Sequence, residues 1–210
     1  MTSGAAGPAF GLVLSGGLGR RMGGGKPLAS LAGRTLLEHS AVLLRRHCAQ
    51  VAVSVRDPGD LAEAIGALSL PALADPPDAP RGPLAGIAAG LRWAVEAGAD
   101  VLVTAPCDAP FLPADLPARL AEAAAGRACA VARTPGGLQP LCAAWRPQML
   151  AQLEAELGAG RHPSVRGTLE AAGCAYLDHP DEAAFLNINT PEDLAEAERR
   201  LRGGRRLGLT

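Results

Sequence analysis

The stretch "GLVLSGGLGRRMGGGKPL", residues 11–28, decides how the chain is read. It begins as a short apolar run, turns glycine-rich, and carries three cations, Arg20, Arg21 and Lys26. A strand that ends in Gly16-Gly17-Leu18-Gly19 lets backbone N–H groups approach phosphate oxygens. Glycine has no side chain in the way and reaches positive φ cheaply. Two common phosphate loops fail here. A Walker-type loop needs glycine where Arg20 stands and Ser or Thr where Pro27 stands, and the dinucleotide fingerprint needs a third glycine where Met22 stands. Both also run straight into a helix, whereas no helical pattern begins before about Thr35. An NAD-dependent dehydrogenase is disfavoured on the same grounds. What remains is a long loop, 15–27, whose three cations suit a triphosphate. A solvated basic surface loop is the plain alternative.

Outward from that loop, apolar runs alternate with amphipathic stretches almost to the end of the chain. The runs at 9–14, 50–55, 70–74, 100–105, 128–132 and 174–178 read as strands. The stretches at 35–47, 59–67, 83–97, 113–125, 147–158, 163–172 and 190–202 read as helices. The alternation predicts an α/β fold, a three-layer Rossmann-like arrangement with a mostly parallel sheet covered on both faces. In "TPEDLAEAERRL", Thr190 reads as an N-cap, Pro191 as the first helical residue and Asp193 as its N3 partner. Gly126 stops the helix that Pro117 allows to begin only near Leu116. One domain is expected over 1–202, with 203–210 a frayed tail.

The 210 residues suffice for one full α/β core. With 20 basic and 21 acidic residues the net charge is −1, so neither nucleic acid nor an anionic membrane is an expected partner. Aromatic residues make up only 3% of the chain, which argues against a base-stacking platform. No run approaches a membrane span, and the first ten residues lack the pattern of a signal peptide. The five cysteines, 48, 107, 129, 142 and 174, are odd in number and widely spaced, which fits reduced thiols in the cytoplasm.

Asp75 and Asp108 each follow a predicted strand, as the glycine loop does. In an open parallel sheet, ligands bind along the edge formed by the strands' carboxyl ends. In "APCDAPFLP" three prolines fix the backbone around Asp108. Such rigidity suits a carboxylate that holds Mg²⁺ together with substrate phosphates, although a turn aspartate would look similar. "FLNINTPEDL" places Asn187 and Asn189 two apart, on one side of an extended segment. They read equally well as ligands or as pre-cap residues. Arg161, His162 and Arg166 are candidates for a second anion clamp, or a solvated helix face. Cys107 reads as a buried filler, and His39, His47 and His179 carry no assigned chemistry.

"LSGGLGRRMGGGK", "GPLAG", "PCDAPFLP" and "NINTPEDL", taken together and in this order, resemble the MobA family, the molybdenum cofactor guanylyltransferases. The resemblance implies transfer of GMP from GTP to the terminal phosphate of molybdopterin, with release of pyrophosphate. It implies backbone contacts to GTP from Leu14, Ser15, Gly16 and Gly17, and phosphate neutralisation by Lys26 with help from Arg20. It implies that Asp75 contacts the guanosine, that Asp108 binds nucleotide and Mg²⁺, and that Arg21, Asn187 and Asn189 face the molybdopterin. Candidate protein partners are other cofactor-biosynthesis or molybdoenzyme maturation proteins. Two positions depart from the family pattern. Gly25 stands where an aspartate usually precedes the lysine, in a loop one residue shorter, and Ser54 stands where an asparagine is expected to touch the nucleotide. A cytidylyltransferase for the same cofactor, a sugar-phosphate nucleotidylyltransferase and a non-catalytic nucleotide-binding or cofactor-carrier protein remain the alternatives.

Overall fold

A computed structural model describes residues 7–15, 25–75, 82–161 and 163–204. Strand β1 (Ala9–Leu14) is the apolar run that opens the glycine loop. The chain re-enters the described region at Gly25 and makes a short 3-10 turn, Lys26–Leu28. Lys26 and Pro27, the last two residues of the expected loop 15–27, therefore stand on this short turn. A two-residue hairpin, β2 (Ser30–Leu31) and β3 (Arg34–Thr35), follows. Its turn has positive φ at both Ala32 and Gly33, the geometry that matches strand twist. Helix α1 (Leu36–Arg45) starts directly after Thr35, which forms a reciprocal capping box with Glu38.

The rest alternates as the apolar pattern predicts. Next come β4 (Gln50–Val55), α2 (Ala62–Ala67), β5 (Ala72–Ala74), α3 (Pro83–Glu96), β6 (Val101–Pro106) and α4 (Leu116–Ala123). They are followed by β7 (Cys129–Thr134), β8 (Gly137–Trp145), α5 (Met149–Gly158), α6 (Val165–Ala171), β9 (Ala175–Asp178) and α7 (Pro191–Arg202). Gly203 closes α7. Most of the tail expected to fray lies outside the described residues.

The main sheet has the order β5-β4-β1-β6-β8-β7-β9. All neighbours are parallel except the two pairs that involve β8. Strand β8 is the main departure from the sequence reading, which passed over 137–145. Gly137 and Pro140 disguise it, since proline in a strand normally marks an edge or a bulge. A bulge is what occurs. The register jumps from Val131↔Ala143 to Ala132↔Gln139, and Pro140 falls among the residues skipped.

Alternate residues of each strand feed opposite cores. Val13 of β1 packs with Leu37 and Leu44 of α1, Ile65 of α2 and Leu120 of α4. Phe10, Leu12 and Leu14 pack on the other face with Ile87 and Leu91 of α3, Leu153 of α5 and Leu169 of α6. A third, small cluster joins Leu31, Leu36, Phe111, Ile188 and Ala197. No helix among the described residues is long and apolar enough to cross a membrane.

Gly90 lets α3 lie close against β1. A Cβ there would stand 2.5 Å from Leu12 Cδ2, and Leu12 is fully buried, so it cannot swing away. The overlap costs about 1–3 kcal/mol, more than the roughly 0.5–1 kcal/mol alanine gains over glycine in a helix. Gly90→Ala should therefore lower the urea midpoint; an unchanged or raised midpoint would contradict this packing.

Candidate active site

The order β5-β4-β1-β6 aligns four parallel strands whose carboxyl ends share one edge. Chain order turns back at β1, with β4 and β5 to one side and β6 to the other. Ligands of open α/β sheets sit at such a reversal. Ser15 follows β1, Ser54 lies in β4, Asp75 follows β5 and Asp108 follows β6. At about 4.8 Å per strand interval, the three intervals from β5 to β6 span about 14 Å along this edge.

At the β6 end, Lys26 Nζ donates to Asp108 Oδ2 at 2.5 Å and to Asn189 Oδ1 at 2.7 Å. The Lys26 and Asp108 side chains are only 12% and 18% exposed, so water screens the pair poorly. Backbone bonds hold the surroundings. The Cys107 N–H donates to Leu14 O at 3.1 Å, and the Ile188 N–H donates to Asp108 O at 2.8 Å. The Ser40 hydroxyl on α1 donates to Pro106 O at 3.0 Å. Asp108 Oδ1 is buried and has no hydrogen-bond partner among the described residues. A rigidly held carboxylate with a spare oxygen fits a hard divalent cation.

At the β4–β5 end, the Ser15 hydroxyl donates to Ser54 O at 2.5 Å. Ser54 and Asp75 face α3 at Gly86. A Cβ on Gly86 would lie 2.0 Å from Ser54 Oγ and 3.4 Å from Asp75 Oδ1. Asp75 Oδ1 is also buried without a partner among the described residues. Burial pushes the Asp75 carboxyl above its ordinary range, and the charge of Arg56 offsets this only in part. Helix α3 begins at Pro83 with no side-chain cap. Its first-turn N–H groups open toward the same edge, where an anion is favoured.

The asparagine pair also takes shape. Ile188 is buried between exposed Asn187 and Asn189, as in an extended segment. Asn189 reaches Lys26, and Asn187 stays on the solvent side. Cys107 is a buried filler, and burial pushes its thiol up to about 12. Arg161 is engaged by Glu156 at 2.6 Å, and Arg166 lies beside Gly137 at the β7–β8 turn. Neither touches the Lys26 cluster. Gly16, Gly17, Arg20, Arg21 and His162 lie outside the described residues. Sequence reasoning took Asp193 for a helix cap alone. Its carboxylate in fact accepts from the Asn189 N–H at 2.8 Å as well as from the Thr190 N–H at 2.9 Å.

Residues 11–174 match the family described as the MobA-like NTP transferase domain. The chain belongs to the MobA-like NTP transferase family. It is 49% identical over 194 residues to the molybdenum cofactor guanylyltransferase of Cereibacter sphaeroides (strain ATCC 17029 / ATH 2.4.9), covering 92% of this chain and 97% of that one. It is 40% identical to the molybdenum cofactor guanylyltransferase of Rhodobacter capsulatus, covering 91% and 96%. The crystal structure of molybdopterin-guanine dinucleotide biosynthesis protein A from Archaeoglobus fulgidus superposes with a TM-score of 0.73 at 25% identity, covering 92% of this chain and 99% of that one. A nucleotidyl transferase from Methanothermobacter thermautotroptrophicus shares the fold, with a TM-score of 0.73 at 21% identity over 94% and 99% of the two chains. The edge that carries Asp75, Ser54, Ser15 and Asp108 is thus part of a MobA-like NTP transferase domain.

Asp75 supplies a pH test. Its folded value lies above the ordinary carboxylate value. Its contribution to stability is complete below that ordinary value and is lost as pH rises through the raised one. Thermal melts of Asp75→Asn and the parent chain should therefore diverge in the variant's favour as pH rises above about 4. Parallel curves from acid to neutral pH would contradict the burial of this carboxyl.

Proposed function

We propose that this chain transfers GMP from GTP to the terminal phosphate of molybdopterin, making the guanine dinucleotide and releasing pyrophosphate. The observation that carries this reading is Lys26 and Asp108 meeting at the strand reversal of a MobA-like domain. The names of its relatives supply the substrates. The guanosine lies toward Asp75 and Ser54, and the triphosphate runs along the edge toward Lys26 and Asp108. The span of about 14 Å suits an extended nucleoside triphosphate.

The molybdopterin phosphate oxygen forms a bond to the α-phosphorus of GTP, and the bond from that phosphorus to the bridging oxygen breaks. The nucleophile is already an anion, so the chain needs no strong general base. Its work is positioning and charge neutralisation. Lys26 gives its ammonium to the departing pyrophosphate, and the resemblance assigns Arg20 the same task. The resemblance assigns Leu14, Ser15, Gly16 and Gly17 backbone contacts to GTP, and Arg21, Asn187 and Asn189 a role toward the acceptor. Asp108 would hold Mg²⁺. Among the described residues no three His, Cys, Asp or Glu side chains group as a metal site. One carboxylate plus substrate phosphates and water is the usual Mg²⁺ arrangement. When bound, the ion supplies positive charge that offsets repulsion between the two anionic reactants. All five cysteines are free and buried, which fits a cytoplasmic setting.

Incubation with GTP, Mg²⁺ and molybdopterin should yield pyrophosphate and the guanine dinucleotide in equal amounts. Turnover with CTP and none with GTP would reject the reading. Lys26→Met and Asp108→Asn should each lower kcat by about 10²–10³ while circular dichroism stays unchanged. A folded Asp108→Asn protein with the parent rate would remove Asp108 from the chemistry.

A further inference from the structure

We infer that Asp193 is a positioning residue for the reaction, acting on the Lys26 ammonium through Asn189; this rests on the role given to Lys26 above. A capping box needs the Asp193 side chain for one bond only, from the N–H of the N-cap residue Thr190. That bond is present at 2.9 Å. The same oxygen, Asp193 Oδ2, also accepts from the N–H of Asn189 at 2.8 Å, and Asn189 lies outside the helix. Pro191 brings no N–H of its own, so these two consecutive donors converge on one carboxylate oxygen. The carboxyl of Asp193 is held below its ordinary range, chiefly by the Asn189 N–H.

The second bond adds nothing to the cap. It fixes the backbone of Asn189, and with it the direction of a side chain whose Oδ1 lies 2.7 Å from Lys26 Nζ. Lysine carries its charge on a flexible stem and must be oriented to meet a phosphate. A neutral amide oxygen orients the ammonium without neutralising it, which a second carboxylate would do. Asp193 thereby keeps its charge on the helix and works at one remove. Ile188, the residue before Asn189, donates its N–H to Asp108 O, so one short segment registers both partners of the ion pair.

Thr190→Ala is the matched control. It removes the Asp193 N–H bond to Thr190 Oγ1 at 3.1 Å, a bond of the same capping box, and leaves both Asp193 Oδ2 bonds in place. Two readouts are compared. The first, acetylation of Lys26 by an activated ester followed by mass spectrometry, needs no substrate. Asp193→Ala should label Lys26 severalfold faster than Thr190→Ala at a similar melting temperature. The second is GMP transfer. Asp193→Ala should lower kcat about tenfold, the scale of a small misplacement of a reacting group, and Thr190→Ala should leave it near the parent value. Asp193→Asn, which keeps an oxygen for the two N–H groups, should recover most of the loss. In an Asn189→Ala background, Asp193→Ala should cost nothing further. Equal labelling and equal rates for Asp193→Ala and Thr190→Ala would overturn the inference. So would an undiminished effect in the Asn189→Ala background. Faster labelling in a protein that makes no guanine dinucleotide would uphold the positioning and reject the proposed substrates.

Discussion

The ammonium of Lys26 sits between a carboxylate 82 residues away and an amide 163 residues away, and the molecule is arranged so that this can happen. The three side chains rise from three segments, and those segments are glued beneath by one apolar cluster. Leu31 follows Lys26, Phe111 follows Asp108, and Ile188 precedes Asn189; Leu36 of α1 and Ala197 of α7 complete the cluster. The β2–β3 hairpin, the proline-fixed turn after β6 and the segment before α7 therefore share a small core of their own. The main sheet brings β1 and β6 side by side, and the cluster converts that neighbourhood into a side-chain constellation.

Stability alone does not explain the constellation. Burying an ammonium and a carboxylate costs desolvation that their attraction barely repays. A buried polar atom without a partner costs a further ~1–3 kcal/mol. Such atoms occur at both ends of the candidate site, in Asp75 Oδ1 and Asp108 Oδ1. Two carboxylates with a spare oxygen, at opposite ends of one sheet edge, make sense as sockets for a ligand's donors or for a cation. His39 Nδ1, another such atom among the described residues, belongs to the scaffold: His39 Nε2 meets Leu31 O at 2.8 Å and ties the hairpin to α1.

The sequence made the parallel half of the sheet legible because its strands are continuous apolar runs and several of its helices carry end signals. Thr35, Pro83, Gly126 and Thr190 all mark helix ends as their chemistry dictates. The sheet-edge rule also placed Ser15, Asp75 and Asp108 on one side, because each follows a predicted strand, whereas Ser54 entered only through the family resemblance. Strand β8 stayed hidden because Pro140 sits in a bulge, where proline no longer argues against a strand. The Lys26–Asn189 contact was illegible for another reason. Asn189 reaches the lysine through α7, Ile188 and the small apolar cluster, and no local pattern encodes a contact between the two ends of the chain. Asp193 was read as a cap because capping is what Thr-Pro-Glu-Asp signals. Its second bond depends on the path of the backbone before the helix.

A ligand's phosphates and a cation should compete for the two groups that now hold each other. The direct measurement is a crystal structure of the chain with GTP and Mn²⁺, located by anomalous scattering. The account predicts manganese on Asp108, Lys26 turned onto the phosphates, and the guanosine lying toward Asp75. Manganese bound elsewhere, with the Lys26–Asp108 pair intact beneath the nucleotide, would contradict it.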